Sequence, residues 1–158
     1  MTIAPQLRQY LDESQADYEV IEHRPTMSAL ETARTCEIPA EQLAKAVLLD
    51  TAEDDHLLAI LPSDRRVELS ELRTELGSKP RLSDEAEVGK LFKDCELGSV
   101  PPVGYGVDAI VDDSLSQQSD VYFEAGDHKS LVHMNRDEFS RLTEGARHGQ
   151  FSEPWLTE

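Results

Sequence analysis

Apolar positions along this chain change between helical and strand-like spacing, and the changes mark its elements. Helical spacing, in places following a capping residue such as Ser28, Ser83 or Asn135, predicts five helices. They cover about residues 5–15, 28–36, 69–76, 83–92 and 135–142. Pro39 predicts a short helical turn, and Gly77 is placed to end the third helix.

Strand-like apolar runs lie between these helices. They are predicted at residues 18–23, 44–49, 56–61, 107–112, 120–124 and 131–134. The polar segment 51–55 predicts a hairpin between the second and third runs, and Gly126-Asp127 predicts a turn before the last run. Hairpins and helices are interspersed without a repeat or a linker, so we expect a single α+β domain over residues 1–158.

Composition narrows the function classes. The formal net charge of -17 repels polyanions and, taken alone, argues against nucleic acid. Cys36 and Cys95 have no CxxC spacing, so we expect two small semi-buried hydrophobic residues. No apolar run is long enough to cross a bilayer, and the first residues lack a signal-peptide pattern. We therefore expect a cytoplasmic protein with no membrane partner.

Lys45 is the most unusual charged residue, since it stands between Ala44 and Ala46 at the head of an apolar strand. Periodicity alone favours a strand-edge lysine that reaches water and limits aggregation. The alternative is a cation that points into a pocket and holds a phosphate or polarises a carbonyl. His23, at the end of the first strand, is either a polar terminus or a hydrogen-bonding wall of that same pocket.

Common catalytic signatures are absent from the sequence. There is no GxSxG elbow, P-loop or GxGxxG fingerprint, and Ser99 has no designated base. His128 and His133 are separated by four residues across a turn, but no third ligand stands at a recognisable spacing. We therefore expect neither a metal nor another cofactor.

The stretch GSVPPVG, residues 98–104, predicts a stiff loop with permissive ends. Its two adjacent prolines fix φ, and the flanking glycines tolerate positive φ and close approach. Such a loop can hold backbone N–H groups in a defined direction or form the wall of a pocket.

Several segments in order resemble the YbaK family, which includes freestanding prolyl-tRNA-synthetase-associated deacylases and the editing insertion domain of bacterial prolyl-tRNA synthetases. They are YEVIEH (18–23), LAKAVLL (43–49), AILPSDRR (59–66), GSVPPVG (98–104), VYFEAG (121–126) and FSRL (139–142). The segments cover most of the chain, and the lysine together with the GxxPP loop is the specific combination. The resemblance implies a mixed, partly barrel-like β-sheet flanked by helices.

The resemblance also implies hydrolysis of the ester bond of a mischarged aminoacyl-tRNA in trans. The family's lysine maps onto Lys45 and its loop onto Gly98–Pro102, so Lys45 and Gly98 are the expected catalytic residues. Known members supply no protein nucleophile; a water, the terminal ribose hydroxyl or the aminoacyl side chain attacks instead. The expected substrate-binding residues are His23, Thr26, Ser99, Val100, Pro101, Pro102, Gly126, Asp127 and His128.

The expected partner is the 3′ CCA end of a mischarged aminoacyl-tRNA, which needs few phosphate contacts, with a synthetase as a possible further partner. Asp127-His128-Lys129 differs from the more basic, glycine-rich turn of cysteinyl-specific members, which argues against Cys-tRNA.

The alternative is a non-catalytic binding or regulatory module that keeps the pocket; a metal-dependent hydrolase is a weaker third. A deacylase should have a positive, concave surface around Lys45, and an interaction module an exposed apolar patch elsewhere.

Overall fold

The computed structural model describes residues 3–51 and 55–155. Its helices are α1 (Pro5–Glu13), α2 (Ala29–Cys36), α3 (Leu69–Leu76), α4 (Glu85–Leu91) and α5 (Arg136–Leu142). Its strands are β1 (Glu19–Glu22), β2 (Leu43–Asp50), β3 (His56–Pro62), β4 (Arg65–Val67), β5 (Arg81–Leu82), β6 (Ala109–Asp112), β7 (Asp120–Glu124), β8 (Ser130–Asn135), β9 (Arg147–Gly149) and β10 (Ser152–Pro154). Within these residues no helix is both long and apolar enough to span a membrane.

The strands form a mixed sheet in the order β1-β8-β7-β2-β3-β6-β9, with β5 added beside β2 and β10 paired separately with β4. The predicted hairpin is confirmed, because β2 and β3 pair antiparallel from Ala44 to Asp50, although residues 52–54 of its connection lie outside the described residues. The other side of β2 pairs with β7 only at Leu43 and Ala44, and with β5 only at Leu49 and Asp50. On that side of β2, residues 45–47 therefore have no strand partner among the described residues.

Helices cover both faces of the sheet. The main core lies on one face, where α1 and α5 contribute Leu7 and Phe139, and Phe92 is added directly after α4. The opposite face carries two smaller clusters, one that includes Leu72 of α3 and one that includes Ala33 of α2. The mixed α+β arrangement of a sheet flanked by helices, which the sequence predicts, is therefore confirmed.

Helix ends follow the predicted capping chemistry with one exception. The side chains of Ser28 and Asn135 accept hydrogen bonds from backbone N–H groups of the first turn, at 3.1 and 2.9 Å, and Gly77 ends α3 with a φ of 84°. The prediction that Ser83 caps α4 is wrong. Asp84 is the cap, because Ser83 is still bound through its backbone to β2, where its N–H donates to the Leu48 carbonyl.

His133 connects the three strands at one end of the sheet. It is paired with Glu19 of β1 and lies beside Asp120 of β7, with its ring nitrogens 2.6 and 2.9 Å from their carboxylates. Its ring stacks on Tyr122 with centroids 4.3 Å apart. Burial opposes protonation, but hydrogen bonds to Asp120 and Glu19 outweigh it and raise the pKa of His133 above its ordinary value.

We therefore expect His133→Gln to destabilise the protein mainly at mildly acidic pH. A histidine whose pKa is raised on folding contributes its stability below the unfolded pKa, and loses it as pH rises through the folded pKa. The partners are largely exposed, so the loss should be about 0.5–1 kcal/mol near pH 5.5 and smaller at pH 8.5. Urea unfolding at both pH values measures it, with His148→Gln at an exposed histidine as the control. An equal loss at both pH values would contradict the ion-pair explanation.

Candidate active site

Lys45 lies on β2 in the interval between the two short ladders that pair β2 with β7 and with β5. Alternate residues of a strand share a face, so its side chain projects with those of Leu43 and Leu49. Leu43 packs in the α2 cluster and Leu49 in the α3 cluster, which places Lys45 between two separate apolar clusters. Each fully buried leucine stabilises the fold by about 1.5–3 kcal/mol, which offsets the cost of half-burying a lysine between them.

The Lys45 ammonium is enclosed by Trp155 and lies near Asp64. Nζ stands 4.8 Å from the centroid of the Trp155 ring, a cation–π contact. Burial lowers the pKa of Lys45 to about 8, and the negative charge of Asp64 offsets this only in part. Asp64 forms no ion pair with Lys45, and its Oδ1 is buried without a hydrogen-bond partner. The side chain lies at a locally unpaired stretch of β2, as a strand-edge lysine would, but it is half buried beside an aromatic ring instead of reaching freely into water.

The GSVPPVG stretch forms the loop between α4 and β6. Gly98 and Gly104 at its ends have φ values of 83° and 100°, which confirms the predicted permissive ends. Ser99 is buried, donates to Glu124 Oε1 at 3.4 Å and accepts from the backbone N–H of His128 at 3.0 Å. Ser99 thus ties the loop to the end of β7 and to the turn before β8.

His128 packs directly on the glycine end of this loop. Its Nε2 lies 2.6 Å from the Leu97 carbonyl and donates to it, which leaves Nδ1 of the neutral ring as an acceptor. A Cβ built on Gly98 would lie 3.3 Å from His128 Cε1. Asp127 fixes the turn by accepting from the backbone N–H of Lys129 at 2.9 Å. The structure therefore brings Gly98, Asp127 and His128 together.

His23 and Thr26 lie beside this turn, since the backbone N–H of Thr26 donates to the His128 carbonyl at 3.3 Å. Thr26 Oγ1 contacts Thr32 Oγ1 at 2.5 Å, and both threonines are buried. His23 Nδ1 donates to the Arg24 carbonyl at 2.7 Å, while its Nε2 is buried without a hydrogen-bond partner. His23 and Thr26, which the sequence predicts to bind the substrate, therefore lie beside the turn that packs on the glycine end of the loop.

Other predicted binding residues pack inward. Val100 packs against the main core, and Pro101 is buried. Pro102 lines a cleft of about 440 Å³ together with Tyr10, on the face of the sheet opposite Lys45. These side chains therefore support the loop from inside, and substrate binding by Val100, Pro101 and Pro102 stays a prediction.

Gly126 is also a packing position. Its φ is 107°, and an added Cβ would come within 2.9 Å of Ala4 Cβ and 3.2 Å of Cys95 Sγ. The backbone N–H of Ala4 donates to the carbonyl of Ala125 at 2.8 Å, which holds the start of α1 against this turn. Gly126 allows that close approach, and its role in substrate binding stays a prediction.

Glu124 is a residue of this site that the sequence reading missed. It follows Phe123, which pairs with Ala44 in the last parallel pair of β7 and β2, so the alternation of side chains places Glu124 on the same face of the sheet as Lys45. Glu124 is only 6% exposed. An acidic residue between Phe123 and Ala125 in an apolar strand was the available signal.

Glu124 joins the separate parts of the site. Thr32 Oγ1 donates to its Oε2 at 2.9 Å, and Ser99 donates to its other oxygen. Burial raises the pKa of Glu124 above its ordinary value, while the hydrogen bond from Thr32 and the nearby His23 and His128 offset this only in part. Loop, turn, helix α2 and strand β7 thus meet at one buried carboxylate.

The thiols and hydroxyl near the site are poor nucleophiles. Burial raises the pKa of Cys95 to about 12 and also raises the pKa of Cys36, so both remain protonated thiols near neutral pH. Ser99 is fully buried and already hydrogen-bonded. No group of three or more His, Cys, Asp or Glu suited to a metal ion occurs within residues 3–51 and 55–155.

The rim of the site, formed by Arg24, Met27, Leu97 and Lys129, carries both positive charge and apolar surface. Arg24 and Lys129 are exposed beside His23 and His128, and they add positive charge there despite the acidic total. Met27 and Leu97, which are 88% and 45% exposed, lie next to Thr26 and Gly98 in the chain. The rim therefore offers cations and apolar surface at the same place.

A mixed sheet flanked by helices carries a half-buried lysine on β2 and a rigid glycine–proline loop before β6, and a family comparison identifies the class of domain. The chain belongs to the aminoacyl-tRNA editing domain family, whose model matches residues 23–142. The matched segment contains Lys45, Gly98, Glu124 and His128, and it ends before Trp155.

Solved structures show the same fold. The hypothetical protein APE2540 superposes with a TM-score of 0.84 at 20% identity, over 94% of this chain and 99% of that one. A candidate trans-editing enzyme for prolyl-tRNA synthetase superposes with a TM-score of 0.82 at 23% identity, over 96% and 99% of the two chains. A candidate signal transduction protein from Marinobacter aquaeolei VT8 has a TM-score of 0.72 at 19% identity, over 96% of this chain and 31% of that one. A search of curated proteins finds no match.

Proposed function

We propose that this protein hydrolyses the ester bond of a mischarged aminoacyl-tRNA in trans, with Lys45 and the Gly98–Pro102 loop positioning the substrate. The observation that carries the proposal is the placement of Glu124. It is bound to the loop through Ser99, and it directly follows Phe123, which pairs with Ala44, the residue before Lys45, in the last pair of β7 and β2. Glu124 thus links the glycine end of the loop to the end of β7, beside the strand that carries Lys45, in a chain whose family edits aminoacyl-tRNA, and this supports the proposal.

Lys45 supplies a positive charge in a partly desolvated place. Its ammonium holds the terminal ribose–phosphate or the ester carbonyl, both of which carry negative charge or develop it during hydrolysis. A charge that is enclosed by protein acts more strongly than one in water, and it needs little reorganisation during the reaction. Trp155 above the ammonium offers a flat face on which a base of the CCA end stacks.

The loop supplies backbone donors. The N–H groups of Gly98 and Val100 have no acceptor within the described residues, whereas Ser99 N–H donates to the Glu96 carbonyl. Free N–H groups held by a rigid loop stabilise the oxyanion that forms when the ester carbonyl is attacked. The buried prolines keep those groups in place.

The attacking group comes from water or from the substrate. The thiols stay protonated and Ser99 is buried, so the surrounding side chains support a mechanism without a covalent intermediate on the protein. The contribution of the protein is then orientation and electrostatic stabilisation.

The partner is the 3′ end of a mischarged aminoacyl-tRNA in the cytoplasm. Few phosphate contacts are needed to hold a CCA end, and Arg24 and Lys129 are exposed at the rim to make them. A protein of charge -17 gains little from long-range attraction to tRNA, so a synthetase that delivers the substrate would raise the effective concentration.

A second candidate function is a binding or regulatory module that keeps the pocket without turnover. The observation in its favour is Trp155, which covers the Lys45 ammonium from the C-terminal side, outside the family match. The same fold also occurs in a candidate signal transduction protein as less than a third of that chain.

A deacylation panel tests the proposal. tRNAs carrying different amino acids, both mischarged and correctly charged, are incubated with the protein, and release of the free amino acid is measured against spontaneous hydrolysis. We expect one or a few mischarged pairs to be hydrolysed well above background, with cognate pairs spared. If every pair decays at the spontaneous rate, the enzymatic proposal is wrong and the binding module is favoured.

A further inference from the structure

Glu124 is a buried carboxylate whose protein partners do not satisfy a negative charge. Its two oxygens accept from the hydroxyls of Thr32 and Ser99, at 2.9 and 3.4 Å. It forms no ion pair among the described residues, although His23 and His128 are close enough to lower its pKa. A buried charge is costly unless it is paired, so a cationic partner would stabilise the ionised form of Glu124.

Asp112 shows how a structural carboxylate is handled in the same fold. It is 3% exposed, and it accepts from the N–H and hydroxyl of Ser114 at 3.0 and 2.6 Å and from the N–H of Phe151 at 3.3 Å. Burial would raise the pKa of Asp112, but these hydrogen bonds outweigh it and lower the pKa. At Glu124 burial dominates instead, so its environment is not built for an unpaired anion.

His23 supplies a second unused acceptor beside Glu124. Its Nδ1 donates to the Arg24 carbonyl, so in the neutral ring Nε2 carries the lone pair. That Nε2 is buried without a hydrogen-bond partner among the described residues, and His23 lies close enough to Glu124 to affect its pKa. An ammonium group has three N–H donors, and it would satisfy the carboxylate and the imidazole together.

We propose that Glu124 and His23 Nε2 bind the α-ammonium group of the aminoacyl moiety. The inference rests on the proposed function and names the part of the substrate that this side of the site recognises. In this arrangement Lys45 on β2 contacts the ester or phosphate of the substrate, and Glu124 on β7 contacts its amine. Both side chains lie on one face of the sheet, as a short aminoacyl ester requires.

Binding of two non-hydrolysable analogues tests the proposal. Both are 3′-aminoacylamido-adenosines; one has a free α-ammonium and the other is N-acetylated and neutral there. Calorimetric titration at physiological salt compares their dissociation constants for the wild-type protein and for Glu124→Gln. Asp112→Asn is the matched control, because it removes the same formal charge from another buried site.

We expect the wild-type protein to bind the ammonium analogue about 10- to 100-fold more tightly, as typical of a hydrogen bond to a charged group. Glu124→Gln should bring the ratio close to one, and Asp112→Asn should leave it unchanged even if its melting temperature falls. If Glu124→Gln does not fold, His23→Leu should still reduce the ratio. Equal affinity of the wild type for both analogues, no binding of either, or an unchanged ratio in the Glu124 variant would overturn the proposal.

The outcome is separable from that of the deacylation panel. A preference for the ammonium analogue without hydrolysis of any aminoacyl-tRNA supports the amine site and contradicts the proposed activity. Hydrolysis without a preference between the analogues supports the activity and overturns the amine site.

Discussion

Lys45→Met is expected to lower single-turnover deacylation of the best panel substrate by at least about a hundredfold, the loss typical of one electrostatic contact to the transition state. The substitution keeps the apolar stem between the two clusters and removes only the ammonium. Since burial lowers the pKa of Lys45 to about 8, the folded protein gains nothing in stability from that charge near neutral pH. The melting temperature should therefore not fall. Lys79→Met, at an exposed lysine, is the control.

The pH dependence of the rate and of the unfolding free energy gives a second test of the role of Lys45. If the ammonium form acts, the ratio of the catalysed to the spontaneous rate should fall as pH rises through about 8. Because folding lowers this pKa, the unfolded chain binds more protons in that range, and the unfolding free energy should rise with pH more in the wild type than in Lys45→Met. A Lys45→Met protein with the wild-type rate would remove Lys45 from the mechanism.

Gly98→Ala is expected to reduce the single-turnover rate by roughly 10²–10³-fold, with a stability loss of only about 1 kcal/mol. Its φ of 83° is strained for alanine, and the new methyl would press on His128 at 3.3 Å and turn the loop donors away from the ester. The measurement is the rate beside thermal unfolding.

Gly77→Ala is a closely matched control, because Gly77 has a φ of 84° and no atom within 4 Å of an added Cβ. It should lose similar stability and keep its rate. Pro101→Ala should lower the rate more mildly than Gly98→Ala, since it loosens the support of the loop without touching His128. If Gly98→Ala behaves like Gly77→Ala, the loop is scaffolding and the oxyanion role belongs elsewhere.

Local pattern predicted the long elements of the fold and missed the short ones. The helices and the β2–β3 hairpin follow from periodicity and capping within a few residues. β4 and β10 have three residues each, and they pair Val67 with Ser152, so no local pattern indicates them. This pairing is also what carries the chain to Trp155, whose N–H donates to the Asp64 carbonyl above the Lys45 face.

The site was predictable where one residue type is locally unusual. Lys45 stands out in an apolar strand, and glycines beside prolines indicate a rigid loop. Glu124 carries only a weak signal, as an acid in an apolar strand, and Thr32 carries none; they become functional candidates because the fold places Thr32 of α2 against Glu124 of β7. Val100 and Pro102 show another limit, since a loop has two sides and the sequence does not tell which of its side chains pack into the core.

The most direct test measures binding and hydrolysis of one mischarged aminoacyl-tRNA in the same reaction, with wild-type protein and with Lys45→Met. The account predicts saturable release of the free amino acid with the tRNA left intact, and a Lys45→Met protein that has lost most of this release while remaining folded. If both proteins bind the aminoacyl-tRNA saturably but its ester is hydrolysed only at the spontaneous rate, the account is contradicted.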